Sequence, residues 1–286
     1  MMELPFKIDL SGKTAVITGG GGVLCRVFAQ ALAACNANIA VLDIEAEAAE
    51  KTRDRIKALG GKAISITADV LDKESLIKAE KVVSENFGSC DILINGAGGN
   101  HPGGTTSNEF LKEEDILSTK KDLITFYDLN PESIKFVFDL NFTGTLLACQ
   151  VFSKKMPGKT GAVIINLSSM NALTPLTKIP AYSAAKAAVS NFTKWLAVHM
   201  SKAGIRVNAI APGFFLTKQN RELLIEENGS FNPRAGKIIE HTPMGRFGKP
   251  EELIGTLLWL VDAKASGFVN GAVIPVDGGF SAYSGV

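Results

Sequence analysis

The chain has 286 residues, a net charge of +1 and no basic block, so the electrostatic footprint of a nucleic-acid binder is missing. Its four cysteines, Cys25, Cys35, Cys90 and Cys149, form no C-x-x-C, and three histidines give a metal site little to draw on, so buried reduced thiols in a cytoplasmic protein are expected, with no metal. There is no apolar leader and no apolar run near the roughly 20 residues of a membrane span; a soluble protein with no membrane partner is expected.

Residues 14–18 are an apolar run that ends in four glycines, and they read as a buried strand. A helix over 23–36 follows, small on one face, then a strand over 38–42 that ends at Asp43. The charged amphipathic stretch 45–59 reads as a helix stopped by Gly60-Gly61, and 62–67 as a third strand that runs into Ala68-Asp69-Val70. A helix over 73–87 leads to a strand over 92–94 and to Asn95-Gly96-Ala97-Gly98. Between 99 and 130 the periodicity lapses, which predicts a long inserted loop with a short helix at most. Pro131 opens a long helix to about 156. A strand over 161–167 precedes Ser168-Ser169, a helix carries Tyr182 on to about 203, and a strand over 205–210 ends at Pro212-Gly213. An irregular, helix-prone stretch over 214–248, a helix over 250–262 and a strand over 273–277 complete the chain. Strand and helix alternate with no repeat or composition break. The expected fold is α/β: one Rossmann domain over 1–286, with a doubly wound parallel sheet of seven strands and helices on both faces.

Glycines between a strand and a helix let backbone N–H groups approach a pyrophosphate at the positive helix end. The turn Thr18-Gly-Gly-Gly-Gly-Val-Leu-Cys25 has this placement without the G-x-G-x-x-G spacing. Asp43 closes the second strand, where a carboxylate accepts from both ribose hydroxyls and repels a 2′-phosphate, which favours NAD over NADP. The alternative is a cap for the next helix. Asp69 is placed to reach an adenine amino group or to cap in the same way.

In Tyr182-Ser183-Ala184-Ala185-Lys186 the phenol and the ammonium stand four apart, on one face of a helix. An adjacent cation favours the phenolate, so the pair predicts a phenol with a lowered pKa, suited to acid–base work. Alone, this spacing is a common accident of amphipathic helices.

Taken in order, these stretches resemble the short-chain dehydrogenase/reductase family over nearly the whole chain. The resemblance rests on the glycine turn, Asn95-Gly-Ala-Gly98, Asn141, Ser169, Tyr182 with Lys186, and Pro212-Gly213. The family's serine stands thirteen residues before its tyrosine, which selects Ser169 over Ser168. The resemblance implies catalysis by Asn141, Ser169, Tyr182 and Lys186. It implies cofactor contacts from Gly19, Gly21, Gly22, Leu24, Asp43, Asp69, Val70, Asn95, Ala97, Gly98, Tyr182, Lys186, Pro212, Gly213, Phe215 and Thr217. It also implies a homotetramer, or a dimer, built through the Asn141 and Tyr182 helices. Two departures stand out: Val23 and Cys25 replace the later glycines of the turn, and the segment after Gly98 is about twenty residues longer than usual.

Gly99-Asn-His-Pro102, the insertion and the stretch 136–145 are similar to the D-mannonate oxidoreductase, or fructuronate reductase, branch. That likeness implies NAD-dependent hydride transfer to a sugar acid. The alternatives are a dehydrogenase of another polyol, of gluconate or of a cyclic alcohol or ketone, or a non-catalytic NAD(H) sensor. Residues 214–248 are expected to form a lid over the substrate. Asn100, His101, Lys178, Arg221, Arg234 and Arg246 are the candidates to meet a carboxylate.

Overall fold

The computed structural model describes residues 8–120, 122–216, 224–225 and 230–285. Its strands are β1 (Thr14–Thr18), β2 (Asn38–Asp43), β3 (Lys62–Thr67), β4 (Ile92–Asn95), β5 (Val163–Leu167), β6 (Arg206–Pro212) and β7 (Val273–Val276). They form one sheet in the order β3-β2-β1-β4-β5-β6-β7, and every pairing is parallel. The inner strands are near-continuous apolar runs because both faces are covered. Ala15, Ile17, Ile39, Val41, Ile94 and Ile165 enter one core, and Val16, Ala40, Leu42, Leu93, Ile164 and Val207 enter the other.

Helices α1 (Val23–Ala34), α2 (Ala46–Ala58) and α3 (Lys73–Phe87) alternate with the first four strands. Among the described residues of the insertion the one α-helical turn is α4 (Glu113–Ile116), flanked by 3-10 turns at Pro102–Gly104 and Phe126–Asp128. Then come α5 (Pro131–Phe138), α6 (Gly144–Phe152) and α7 (Pro180–Met200), followed by α8 (Pro233–Glu240), α9 (Ile254–Val261) and α10 (Ala263–Ser266). Side chains of α1, α2 and α9 fill the first core, and those of α3, α6 and α7 fill the second. Phe152 is almost wholly buried in the second core. Phe152→Ala is expected to cost about 3–5 kcal/mol by leaving a cavity among these side chains, a loss measurable by denaturant unfolding.

Two expected elements differ. Helices α5 and α6 are joined not by a regular turn but by a π-helical one, Asp139–Thr143. The Asn141 amide donates to Val137 O at 2.8 Å, the carbonyl one turn back, and to Gly99 O at 2.7 Å. A side chain that enters the backbone ladder widens it. Strand β6 runs on through Pro212, which pairs with Val276 near the strand end and has no N–H to leave unpaired. The continuous helical stretch Pro131–Lys155 is long and apolar enough to cross a membrane by length and composition, contrary to the expectation, but half of it is packed inside the domain. None of the four cysteines is in a disulfide.

Strand β1 lies between β2 and β4, so the chain winds outward to β3 and then returns to the other side. That reversal opens a crevice beyond the carboxyl ends of β1 and β4, where open α/β sheets bind ligands.

Candidate active site

At the end of β1 the backbone turns through Gly19, whose φ of +62° suits glycine. A side chain there would also strike the Ala97 backbone, 2.8 Å from the position of a Cβ. Gly20 N donates to Leu42 O and Gly21 N to Asp43 Oδ2, both at 2.9 Å. The other Asp43 oxygen accepts from Glu45 N at 3.0 Å. Asp43 therefore ties the glycine turn to the start of α2 and stands at the strand end where a ribose acceptor belongs. Gly22 precedes α1, and no acidic residue occupies that helix's first turn, so its N–H groups face the crevice uncompensated. The Arg26 guanidinium donates to Gly21 O at 2.7 Å, which commits it to the back of the turn.

Asp69 accepts from Leu71 N at 2.8 Å, and Val70 packs beside Gly144. Asn95 is buried, and its amide donates to Asn166 Oδ1 at 2.8 Å and to Cys149 Sγ. Its side chain is thus committed to the neighbouring strand and to α6. Thr18 Oγ1 accepts from Gly96 N and Ala97 N, which holds the two strand ends together.

Gly98 is where the nucleotide end meets the acid–base end. A Cβ there would stand 2.6 Å from Asn141 Oδ1 and 3.2 Å from Lys186 Nζ. Only a glycine lets both polar groups come this close to the strand end. Lys186 is buried, donates to Leu167 O at 2.7 Å, and lies 5.6 Å from the centre of the Tyr182 ring, one helical turn away. Ser168 and Ser169 point in different directions. Ser168 Oγ is used up on Lys186 O and Ser190 Oγ, whereas Ser169 Oγ accepts from Asn171 N and stands close enough to the Tyr182 phenol to lower its pKa.

The electrostatics depart from the sequence expectation in sign. Burial pushes the Tyr182 phenol above its ordinary 10, and the neighbouring Ser169 hydroxyl offsets only part of the rise. The same burial lowers Lys186 to about 8. The Lys186 amine, one turn away, does not offset the desolvation of the phenol. Gly19, Gly22, Leu24, Gly98, Ser169, Tyr182, Lys186, Pro212 and Gly213 line one crevice. No three His, Cys, Asp or Glu side chains converge on a metal-sized site among the described residues.

The sequence profile of short chain dehydrogenases matches residues 13–228. The chain belongs to the short-chain dehydrogenase family. The family uses a nicotinamide cofactor. An uncharacterised oxidoreductase of Haemophilus influenzae is 56% identical over 285 residues, covering all of this chain and 99% of that one. Another of Bacillus subtilis, called UxuB, is 53% identical over 99% of this chain and 100% of its own length. A solved structure of a proposed D-mannonate oxidoreductase from Haemophilus influenza, with bound NAD, superposes with a TM-score of 0.93 at 55% identity. That match covers 99% of this chain and all of the other.

The candidates to meet a substrate carboxylate lie on the insertion, the approach to α7 and the stretch around α8. In the insertion, His101 Nδ1 accepts from Gly103 N at 3.1 Å, which leaves Nε2 as the remaining polar atom of the ring, while its edge packs on Phe136. Asn100 donates to Thr105 Oγ1. Thr106 N donates to Lys178 O, and Glu109 pairs with Lys237 of α8 at 3.0 Å, so the insertion is joined to α8 and to the approach to α7. Arg246 is spent on a two-pronged pair with Glu252, at 2.8 and 2.7 Å, which pulls that carboxyl down to about 2. It has little left for a substrate carboxylate. Lys178 and Arg234 are exposed. The Phe215 ring is buried in the first core against Gly248, so a cofactor contact from this residue falls to its backbone. Thr217 and Arg221 lie outside the described residues.

Sequence reasoning missed that the C-terminal segment packs against the stretches that follow β5 and β6. Phe280 packs edge-on against Phe214, Tyr283 against His241, and Thr174 donates to Ser281 O. The available signal was Asp277-Gly278-Gly279, a turn in which the Asp277 oxygens accept from Gly279 N and Ser281 N.

Proposed function

We propose that this short-chain dehydrogenase interconverts D-fructuronate and D-mannonate, with NAD(H) as the hydride carrier. The observation that carries the chemistry is the meeting of Asn141, Ser169, Tyr182 and Lys186 beside a glycine turn, through Gly98. The substrate class is supported by likeness to the Haemophilus protein over nearly the full length of both chains. Bound in the crevice, NAD supplies the hydride acceptor or, when reduced, the donor.

In the oxidative direction the substrate carbon loses hydride and its hydroxyl loses a proton. Tyr182 takes that proton, and in reduction it gives one back to the forming alkoxide. Ser169 donates to the same oxygen and holds it next to the phenol, where charge develops. Lys186 steadies the phenolate, and Asn141 anchors the π turn that sets the far end of a proton path. Asp43 takes the ribose hydroxyls, and the α1 N-terminus takes the pyrophosphate. Asp43→Ser is expected to shift the ratio of kcat/KM for NADP over NAD upward by roughly 10²-fold, because it removes the charge that repels a 2′-phosphate. Steady-state rates with each cofactor measure it.

A tetramer is the proposed assembly, since Phe136, Trp195 and Val198 expose large apolar surface on α5 and α7, and a cytoplasmic site suits the unpaired thiols. The deciding assay is NADH oxidation by the purified protein with D-fructuronate, a keto-gluconate, a neutral ketose and a steroid ketone. The proposal requires D-fructuronate to be the best substrate, and a preference for any of the others overturns it.

A further inference from the structure

The glycine missing at position 25 has a counterpart on the neighbouring strand end. In a dinucleotide-binding turn the third glycine allows the helix to pack close on the sheet. Here that position holds Cys25, almost wholly buried in the first turn of α1. Its thiol lies directly against Gly96, in the space that a side chain at 96 would fill, and a Cβ there would also stand 2.9 Å from Thr18 O. Gly96 is not among the residues with positive φ, so its backbone does not require glycine; the space does. The Gly96 and Ala97 amides are at the same time fixed to Thr18 Oγ1, so the strand end cannot slide away from the thiol. Burial holds the Cys25 thiol up at about 12, which makes it an uncharged filler under ordinary conditions. Cys25 and Gly96 both line the crevice that contains Lys186 and Ser169.

We propose that Cys25 and Gly96 are a matched pair that together replace the third glycine. The side chain gained on α1 is accommodated by the side chain absent from the β4 end. The pair sets how closely the α1 N-terminus approaches the strand ends, and through it where a pyrophosphate sits. Both are positioning residues. The proposal rests on the cofactor reading above for its effect on binding, whereas the steric coupling itself is independent of any ligand.

The test is a double-mutant cycle on the full-length protein, read by NADH fluorescence titration, by Tm without ligand, and by kcat and KM for NADH. Gly96→Ala is expected to raise the Kd and KM for NADH at least about 10-fold, with a smaller change in kcat, and to lower Tm. Cys25→Gly in the Gly96→Ala background is expected to bring Kd back to within about 3-fold of native and to recover most of the Tm. If Gly96→Ala is too unstable to purify, a folded C25G/G96A protein supports the pair, and failure of the double variant to fold overturns it. Native-like NADH binding by Gly96→Ala, or a double variant no better than the single one, also overturns it. Should the native protein itself bind no NADH, the cofactor reading fails, and the Tm arm still decides the coupling.

Discussion

Tyr182→Phe is expected to lower kcat by about 10³-fold in both directions while NADH affinity and Tm stay close to native. The substitution removes one oxygen and keeps the ring, so packing around Val137, Ala181 and Ala185 is preserved. What is lost is the proton donor and acceptor held next to Ser169. The remaining Ser169 hydroxyl can still orient a substrate oxygen, but it offers no group of suitable pKa to exchange the proton. Because burial raises the phenol, the native enzyme at neutral pH holds the acid form ready, which suits carbonyl reduction. The oxidative direction needs the deprotonated form and is expected to speed up as pH rises. Steady-state rates in both directions, with NADH titration as the control for binding, check this. A phenylalanine variant that turns over as fast as native removes Tyr182 from the chemistry.

Why the strands could be seen in the sequence follows from the fold. Buried on both faces, 14–18 and 38–43 cannot alternate, so they appear as apolar runs that stop at Gly or Asp where the chain leaves the sheet, whereas the edge strand 62–67 is only partly buried and mixes Lys, Ser and Thr with its apolar residues. Those stops are also the site, since the ligand edge is where the runs end. The π turn was invisible because hydrophobic periodicity does not report a hydrogen bond from Asn141 to the carbonyl of Val137. Asn95 and Phe215 show another limit. Both stand at the right sequence distance from cofactor motifs, but their side chains are taken by Asn166 and by the core around Gly248. Chain position places a backbone more surely than it places a side chain. The sign of the Tyr182 shift was also out of reach. Helical spacing brings the lysine near, but whether attraction or desolvation wins depends on how deeply both are enclosed, which is a tertiary property. The insertion had no periodicity to read, because its three short turns, Pro102–Gly104, Glu113–Ile116 and Phe126–Asp128, are set by local caps and by contacts with Lys178 and Lys237.

Lys186→Met separates catalysis from stability. Activity is expected to fall by about 10²- to 10³-fold, because a buried phenol that loses the cation one helical turn away has a costlier phenolate. The rise of oxidation rate with pH, an apparent titration that belongs to the Tyr182–Lys186 pair, should move upward. Stability should change in the opposite sense with pH. Lys186 has its pKa lowered from 10.5 to about 8 on folding. Between those values the unfolded chain holds a proton that the native protein has released. The native state therefore carries the whole cost of the buried ammonium below about pH 8, on the order of 3 kcal/mol, and recovers it as pH rises toward 10.5. Methionine fills the same channel without charge but leaves Leu167 O without its lysine donor, which returns part of the gain. The Tm of the variant relative to native should be highest near pH 7 and decline toward pH 10, as measured by parallel thermal scans. A difference that does not vary with pH would mean that the amine is not buried as a cation, and the link between its desolvation and the tuning of the phenol would be lost.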